Sequence, residues 1–445
     1  MTTGLDPIAH IKSAEVAARN IPGLAATQST RPIRKVGVIG AGTMGGGIAM
    51  NFANVGIPCV FVEARQDALD RGLGLVRKNY EASAAKGRIT ADDVEQRMSL
   101  LTGSLSYDSL ADCDLIIEAV FEDLKLKQEV CARIGQAAPA HAIIATNTST
   151  LDVDLLAEAT GRPEAVVGMH FFSPANVMKL LEVVRGAATS DEVLATVVDL
   201  APRIGKVPVV SGVCYGFIGN RMAEVYMREM ELLLMEGATP AQVDGAVEAL
   251  GMAMGPCRML DMAGVDVGAK TVIEWKKTGG APADPSYRAV VDELFAIGRH
   301  GQKSGLGYYR YEGRTPVGDP DLDPIVQSLA DKHGIVRRNA IQNEEIVERL
   351  LYSLVNEGCR ILEEGIAYRP GDIDVVWVFG YGFPKELGGP MFWAETIGLP
   401  GLVARLRHYG EIFGNDHGYW TPSRLLVEAA ENGRSLAEQL QASTN

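Results

Sequence analysis

The sequence predicts an α/β protein, with a doubly wound, mostly parallel sheet followed by two duplicated all-α domains. Three observations predict it. Short Val/Ile/Leu runs alternate with helical runs through residues 35–213, the pattern of a parallel sheet covered on both faces. A glycine-rich loop lies between the first strand and the first helix of that region. After Tyr215 the strand signal fades and one set of helical landmarks occurs twice. A chain of 445 residues is long enough for two or three domains, each with its own core.

Residues 1–34 carry a short helical pattern and then the polar stretch Thr27–Pro32, read as an N-terminal helix and linker. In the domain 35–213, strands are predicted at Lys35–Gly40, Pro58–Glu63, Asp114–Ala119, Ala142–Thr146, Val166–Phe171 and Leu180–Val184. Met44–Val55, Asp67–Lys86 and Leu124–Ala137 have helical spacing. Residues 214–312 form the first helical domain, 313–335 a linker that opens on polar, Pro-rich sequence, and 336–445 the second helical domain. The duplication rests on ordered matches. Glu236-Gly237-Ala238 is echoed by Glu364-Gly365-Ile366, Val243-Asp244 by Ile373-Asp374, and Gly251 by Gly380. Gly255-Pro256, Asp261 and Gly264 are echoed by Gly389-Pro390, Glu395 and Gly398. Six matches in order, about 130 residues apart with small indels, mark a duplication rather than chance.

Composition narrows the function. Hydrophobic content of 47% and charged content of 22% are ordinary for a globular protein. A net charge of -14 argues against nucleic-acid or anionic-membrane partners, which need a broad basic face. A phosphorylated small ligand remains compatible, because it needs only local N–H groups and a cation or two. No apolar run is long enough to span a bilayer, and neither terminus reads as a targeting signal. The six cysteines are scattered, form no CxxC pair and suit a reducing compartment, so a cytoplasmic location is expected. No metal-ligand spacing stands out.

Gly40-Ala-Gly42-Thr-Met-Gly45 fits GxGxxG. Chance alone would give roughly 0.6 such matches in a chain with 49 glycines among 445 residues, so context must discriminate. The loop follows a strand, opens a helix, and precedes a second strand that ends on the acidic Glu63 about 20 positions later. That is the arrangement of a Rossmann-type dinucleotide site. Gly40 makes the tight turn, Gly42 admits the pyrophosphate, and Gly45 lets helix and strand pack closely. Glu63 would accept hydrogen bonds from the adenine ribose and repel a 2′-phosphate. NAD is therefore favoured over NADP, with Arg65 nearby working against that preference.

Further motifs are more specific. Ala145-Thr-Asn147-Thr-Ser149-Thr-Leu151, His170-Phe-Phe-Ser173-Pro174, Met178-Lys-Leu-Leu-Glu182-Val-Val and Gly216-Phe-Ile-Gly-Asn220-Arg221 strongly resemble the L-3-hydroxyacyl-CoA dehydrogenases. Ala238-Thr-Pro240…Asp244 and Lys303-Ser-Gly305-Leu-Gly307-Tyr308 resemble the same family. The likeness covers nearly all of residues 33–445 and is nearest to the dehydrogenase part of the multifunctional fatty-acid oxidation enzymes. No segment resembles their hydratase/isomerase part, so a functional link to a separate enoyl-CoA hydratase and a thiolase is expected. The resemblance implies β-oxidation chemistry: NAD as cofactor and an (S)-3-hydroxyacyl-CoA thioester as substrate.

Oxidising a secondary alcohol needs a base that works near neutral pH, and His170 at the end of a predicted strand suits that task. Glu182 would orient its imidazole, and the resemblance supports the pair. Ser149 and Asn220 would hydrogen-bond the reacting oxygen or the thioester carbonyl. The resemblance further implies cofactor contacts at Met44, Val120, Phe121, Glu122, Lys127, Asn147, Ser149 and Ser173, and a contact from Lys86 to the coenzyme A phosphates. Ser149 could also cap a helix starting near Thr150. Two departures from many single-function relatives stand out: Glu63 where they have Asp, and Ser173 where they have Asn. The longer Glu63 keeps its acceptor pair, whereas the shorter Ser173 puts a direct cofactor contact in doubt. Competing readings are a dehydrogenase of free β-hydroxyacids, whose base would be a lysine, and a non-catalytic NAD-binding protein. Aligning the copies through Arg221 and Arg349 sets Asn220 opposite Glu348, so the second copy lacks the amide. It is expected to stand in for a partner subunit, giving one site per chain in a pseudo-dimeric monomer or weak homodimer.

Overall fold

Runs of β-branched and aliphatic residues make the strands of a single eight-stranded sheet. They are β1 (Val36–Ile39), β2 (Cys59–Val62), β3 (Leu101–Ser104), β4 (Leu115–Glu118), β5 (Ile143–Thr146), β6 (Val166–Phe171), β7 (Leu180–Val184) and β8 (Val207–Ser211). In the computed structural model, described over residues 6–25 and 27–444, they lie in the order β3-β2-β1-β4-β5-β6-β7-β8. Neighbours are parallel except β6 and β7, which are antiparallel. Every residue of β1, β2, β4 and β5 is buried, as expected for strands covered on both faces. The covering helices include α2 (Thr43–Ala53), α3 (Gln66–Ala85), α4 (Ala91–Ser99), α5 (Leu124–Ala137), α6 (Val153–Ala159) and α7 (Asp191–Arg203). Before them comes α1 (Pro7–Ala17); the rest of the 1–34 reading falls partly on residues 1–5 and 26, outside the described residues.

Two strands differ from the sequence reading. β3, Leu-Thr-Gly-Ser, has one apolar residue in four and sits at an edge of the sheet. β8 contains Pro208, which argues against a central strand; it is tolerated because β8 is the other edge and pairs only with β7.

The chain divides into an α/β unit, Lys12–Ile218 with Gly365–Tyr368, and a helical unit made of residues 6–11, Gly219–Glu364 and residues 369–444. The first copy in the helical unit contains α8 (Gly219–Met235), α9 (Pro240–Ala249), α10 (Pro256–Ala263), α11 (Val265–Lys277) and α12 (Ala289–Ala296). It ends with the hairpin β9 (Arg310–Glu312) and β10 (Thr315–Val317), followed by α13 (Leu322–His333). The second contains α14 (Asn343–Glu363), α15 (Pro370–Gly380), α16 (Pro390–Ile397), α17 (Leu399–Phe413), α18 (Arg424–Asn432) and α19 (Leu436–Thr444). Residues 313–335, read as a linker, thus hold β10 and α13. Leu322, Val326, Leu329 and Ala330 form a buried helical stripe there. Both copies fall within the one helical unit.

The duplication is visible in equivalent contacts. Asp244 accepts from the backbone N–H groups of Cys257 and Arg258 at the start of α10. Asp374 does the same for Met391 and Phe392 at the start of α16. Arg221 of α8 pairs with Glu357 and Glu364 of the second copy, at 2.7 and 2.5 Å. Conversely, Arg349 of α14 pairs with Glu229 and Glu236 of the first, at 3.2 and 2.8 Å. Arg221, Glu229 and Glu236 recur 128 positions later as Arg349, Glu357 and Glu364, so each copy offers the other the same charges. That reciprocity is the signature of a two-fold, isologous interface, here built within one chain.

Candidate active site

The sheet topology gathers most of the predicted site residues of the α/β unit at the carboxyl ends of its parallel strands. The glycine loop follows β1, Glu63 follows β2, Val120–Glu122 follow β4, Asn147–Ser149 follow β5, and His170 lies near the end of β6. In open α/β sheets this edge is where ligands bind.

The three glycines meet different surroundings. A Cβ on Gly45 would sit 1.9 Å from the Gly40 carbonyl oxygen, so helix and strand could not pack. Gly40 has φ +98°, and a Cβ there would sit 2.8 Å from the Ala119 oxygen. A Cβ on Gly42 would meet nothing within 4 Å: the space beside it is open, as a diphosphate cradle requires. Gly42 is the N-cap of α2 and makes no side-chain cap bond, so the helix offers its first N–H groups and positive dipole end to an anion. Glu63 accepts from the N–H groups of Ala41 (3.0 Å) and Ala64 (2.8 Å), which sets its carboxylate beside the loop. Arg65 is held by Asp67 in a two-pronged pair at 2.8 and 3.0 Å, which occupies the cation that would otherwise welcome a 2′-phosphate.

The antiparallel register of β6 and β7 places His170 directly opposite Glu182. His170 Nδ1 lies 2.7 Å from Glu182 Oε2, and both side chains are buried. The other Glu182 oxygen accepts from the Ile218 N–H at 3.1 Å. The imidazole is bracketed by the rings of Phe172 (4.5 Å) and Phe217 (5.8 Å). Asn147 Oδ1 accepts from the Phe171 N–H at 2.8 Å, which ties the β5 loop to the end of β6.

Ser149 does not cap a helix, since α6 begins at Val153 with Asp152 as its cap. Instead its N–H and hydroxyl donate to Glu122 at 2.7 and 3.0 Å, together with the Thr148 hydroxyl at 2.7 Å. Glu122 is exposed as a residue, yet these donors ring its carboxylate. Desolvation pushes its pKa up, but Lys127 and the hydrogen bonds from Thr148 and Ser149 outweigh it and hold the group below the usual carboxylate range. Lys127 departs from the expectation of direct cofactor contact. It is 1% exposed, and its ammonium donates to both Glu118 oxygens, at 2.8 and 3.0 Å, and to the Val120 carbonyl. Lys127 therefore builds the Val120–Glu122 ledge from below. On that ledge Phe121 is 86% exposed, Val120 half-buried; Met44, on α2, is half-buried as well.

Other expected residues lie elsewhere. Lys86 is exposed at the C-terminus of α3. Ser173 is exposed and precedes a cis peptide bond to Pro174. Asn220 belongs to the helical unit, at the start of α8, where its Oδ1 accepts from the Tyr381 hydroxyl at 2.7 Å.

Several supporting residues escaped the sequence reading. Glu118 and Thr146, bonded to each other at 2.8 Å, are both buried. An acid within Asp-Leu-Ile-Ile-Glu gave the same signal that singled out Glu182. Lys206 and Asn51 both donate to the Ala175 carbonyl and anchor the loop after His170. Burial pushes the Lys206 ammonium down to about 8. A cavity of about 550 Å³ in the helical unit, lined by Arg338, Arg349, Phe413 and Trp420 among others, contains none of the predicted site residues. Among the described residues no cluster of three or more His, Cys, Asp or Glu could hold a metal, and no helix is long and apolar enough to cross a membrane.

One sheet edge holds an open glycine turn, a carboxylate beside it and a buried His–Glu pair. The fold and site are those of an NAD-dependent dehydrogenase. Residues 35–214 match the 3-hydroxyacyl-CoA dehydrogenase NAD binding domain, and 216–311 and 346–441 match the C-terminal domain of the same family. The chain is 42% identical over 429 residues to the peroxisomal bifunctional enzyme of Cavia porcellus, covering 94% of this chain and 58% of that protein. It therefore spans about three fifths of the length of that relative. Among solved structures it resembles 3-hydroxybutyryl-CoA dehydrogenase from Escherichia coli K12, with a TM-score of 0.77 and 26% identity over 90% of this chain and 99% of that one. It also resembles the dehydrogenase part of multifunctional enzyme 1 from C. elegans, with a TM-score of 0.65 and 27% identity over 94% and 97% of the two chains. The chain belongs to the 3-hydroxyacyl-CoA dehydrogenase family.

Proposed function

We propose that this chain oxidises the 3-hydroxyl of (S)-3-hydroxyacyl-CoA thioesters to the 3-ketone, with His170 as general base and Glu182 as its orienting acid. The observation that carries this reading is the 2.7 Å His170–Glu182 contact at the carboxyl edge of the sheet. With Glu182 ionised, Nδ1 carries the imidazole proton and Nε2 keeps the lone pair that takes the hydroxyl proton. Glu182 then stabilises the imidazolium, while its second oxygen stays fixed by the Ile218 N–H. The Phe172 and Phe217 rings exclude water from the imidazole. The Ser149 hydroxyl, once released from Glu122, and the Asn220 amide would donate to the substrate oxygens and lower the cost of negative charge there. Gly40, Gly42, Gly45 and Glu63 would hold the diphosphate and ribose of NAD, whose nicotinamide would supply the hydride acceptor for C3.

NADH should be consumed with acetoacetyl-CoA, and His170→Ala should lower kcat by about 10²- to 10⁴-fold with NADH affinity unchanged. Failure to reduce any 3-ketoacyl-CoA would sink the assignment. The proposed contact of Lys86 to the coenzyme A phosphates requires KM for the thioester to rise in Lys86→Ala. The paired helical copies support a pseudo-dimeric monomer with one acyl-CoA site per chain, which calorimetric stoichiometry and sedimentation would check. The chemistry places the enzyme between hydration of an enoyl-CoA and thiolytic cleavage of its product. The name of the guinea-pig relative places that protein in the peroxisome. A cytoplasmic location for this chain rests on its scattered cysteines, which form no CxxC pair, and would be tested by cell fractionation.

A further inference from the structure

Two segments far apart in sequence converge on the Asn220 amide. The Tyr381 hydroxyl donates to Asn220 Oδ1 at 2.7 Å, across 161 positions. Tyr381 lies just after α15, in the second helical copy, whereas Asn220 opens α8 in the first. Its ring is fixed on two sides. It stacks on Trp377, with centroids 4.5 Å apart and planes 21° apart, and Trp377 is itself buried against Tyr226. It also crowds Gly219, where a Cβ would sit 2.7 Å from ring carbon Cε2 and 2.8 Å from the hydroxyl oxygen. Gly219 is the residue immediately before Asn220, so the backbone beside the amide is bare where the tyrosine needs room.

The duplication provides an internal control. The residues 128 positions on from Gly219 and Asn220 are Val347 and Glu348. The turn of the first copy that corresponds to the one bearing Tyr381 is Leu250–Met254, which contains no tyrosine. Glu348 is gripped within its own copy, by Arg405 at 2.6 Å and by the Tyr409 hydroxyl. Glycine, asparagine and tyrosine therefore occur together once, and at the equivalent place all three are replaced.

We propose that Tyr381 is a positioning residue for the Asn220 amide, contributed by the second helical copy to the substrate site of the first. The proposal rests on the reading of Asn220 as a donor to a substrate oxygen. A primary amide can turn over and exchange its oxygen and nitrogen ends. With the hydroxyl donating to Oδ1, as here, the Nδ2–H end is the one that can serve a thioester carbonyl or a developing alkoxide, since both are acceptors. The second copy then has a direct task in the reaction although it lacks the amide itself.

The test is a double-mutant cycle in the full chain: parent, Tyr381→Phe, Asn220→Ala and the double variant. The readouts are kcat/KM with acetoacetyl-CoA and NADH affinity by fluorescence. Phenylalanine keeps the stacking on Trp377, so folding should survive. Tyr381→Phe should lower kcat/KM roughly 2- to 13-fold, the range of one neutral hydrogen bond, with NADH affinity unchanged. In the Asn220→Ala background the same change should cost nothing further. Gly219→Ala, whose methyl would displace the ring, should reproduce the Tyr381→Phe loss. Parental kcat/KM in Tyr381→Phe, or an undiminished loss in the Asn220→Ala background, would overturn the proposal. Parental kcat/KM in Asn220→Ala would instead remove the substrate role of Asn220, and the proposal with it.

Discussion

At the scale of single residues, the glycine loop separates fold from function. The same added methyl group meets a carbonyl oxygen at 1.9 Å on Gly45 and open space on Gly42. Gly45→Ala should therefore cost stability, since neither the backbone of Gly40 nor the first turn of α2 can yield cheaply. Gly42→Ala should fold with a parental melting temperature and lose affinity for NADH, as thermal unfolding and a fluorescence titration would show. Parental NADH affinity in Gly42→Ala would mean that the diphosphate does not pass over that residue. His170 and Glu182 illustrate a second residue-scale point. A histidine before two phenylalanines and a glutamate within an apolar run are each ambiguous alone. Paired across a strand register, each accounts for the other's burial.

At the scale of elements, α8 and α14 hold the two helical copies together through exchanged charges. Arg349 is almost wholly buried between Glu229 and Glu236, whereas its counterpart Arg221 is partly open to solvent beside Glu357 and Glu364. Removing a buried partner strands the remaining charges, at about 3–5 kcal/mol, while solvent softens the same loss at a more open pair. Arg349→Ala should thus destabilise the protein more than Arg221→Ala in urea denaturation, and equal costs would show that burial does not distinguish the two ends. The copies have diverged where partners differ. Asp244 accepts from the Tyr309 hydroxyl, but Asp374 faces His10 at 2.8 Å, so the N-terminal helix supplies the second copy with a partner that the first finds within itself.

At the scale of the whole molecule, buried acids in the helical unit shape the response to pH. Burial raises the carboxyls of Asp244, Asp261 and Asp372 to about 6 each, against hydrogen bonds to the first two and the Arg369 charge beside the third. An acid raised in the folded state holds its proton more tightly there than when unfolded. Its contribution is complete below about pH 4 and is lost as pH rises through about 6. For Asp372 the shift of about two pH units corresponds to roughly 3 kcal/mol. Asp372→Asn should therefore gain on the parent by about that amount between pH 4 and pH 7, read from denaturant midpoints. A difference that stays constant with pH would mean that the folded protein does not protonate Asp372 preferentially.

Much of this was legible in the chain itself, because local chemistry alone determines it. Apolar runs bounded by turns marked the central strands, and the spacing from Gly40 to Glu63 marked the cofactor edge. Ordered landmarks such as Gly255-Pro256 and Gly389-Pro390 revealed the duplication. The edge strands β3 and β8 were not legible, because β3 is largely open to solvent and β8, though buried, carries Pro208, which an edge tolerates. Nor was the placement of Lys127 below the Val120–Glu122 ledge, which depends on Glu118 across a turn, nor the approach of Tyr381 to Asn220. Periodicity reports which face of an element is buried. Which side chain of a distant segment arrives at that face is decided only when tertiary packing brings the two together.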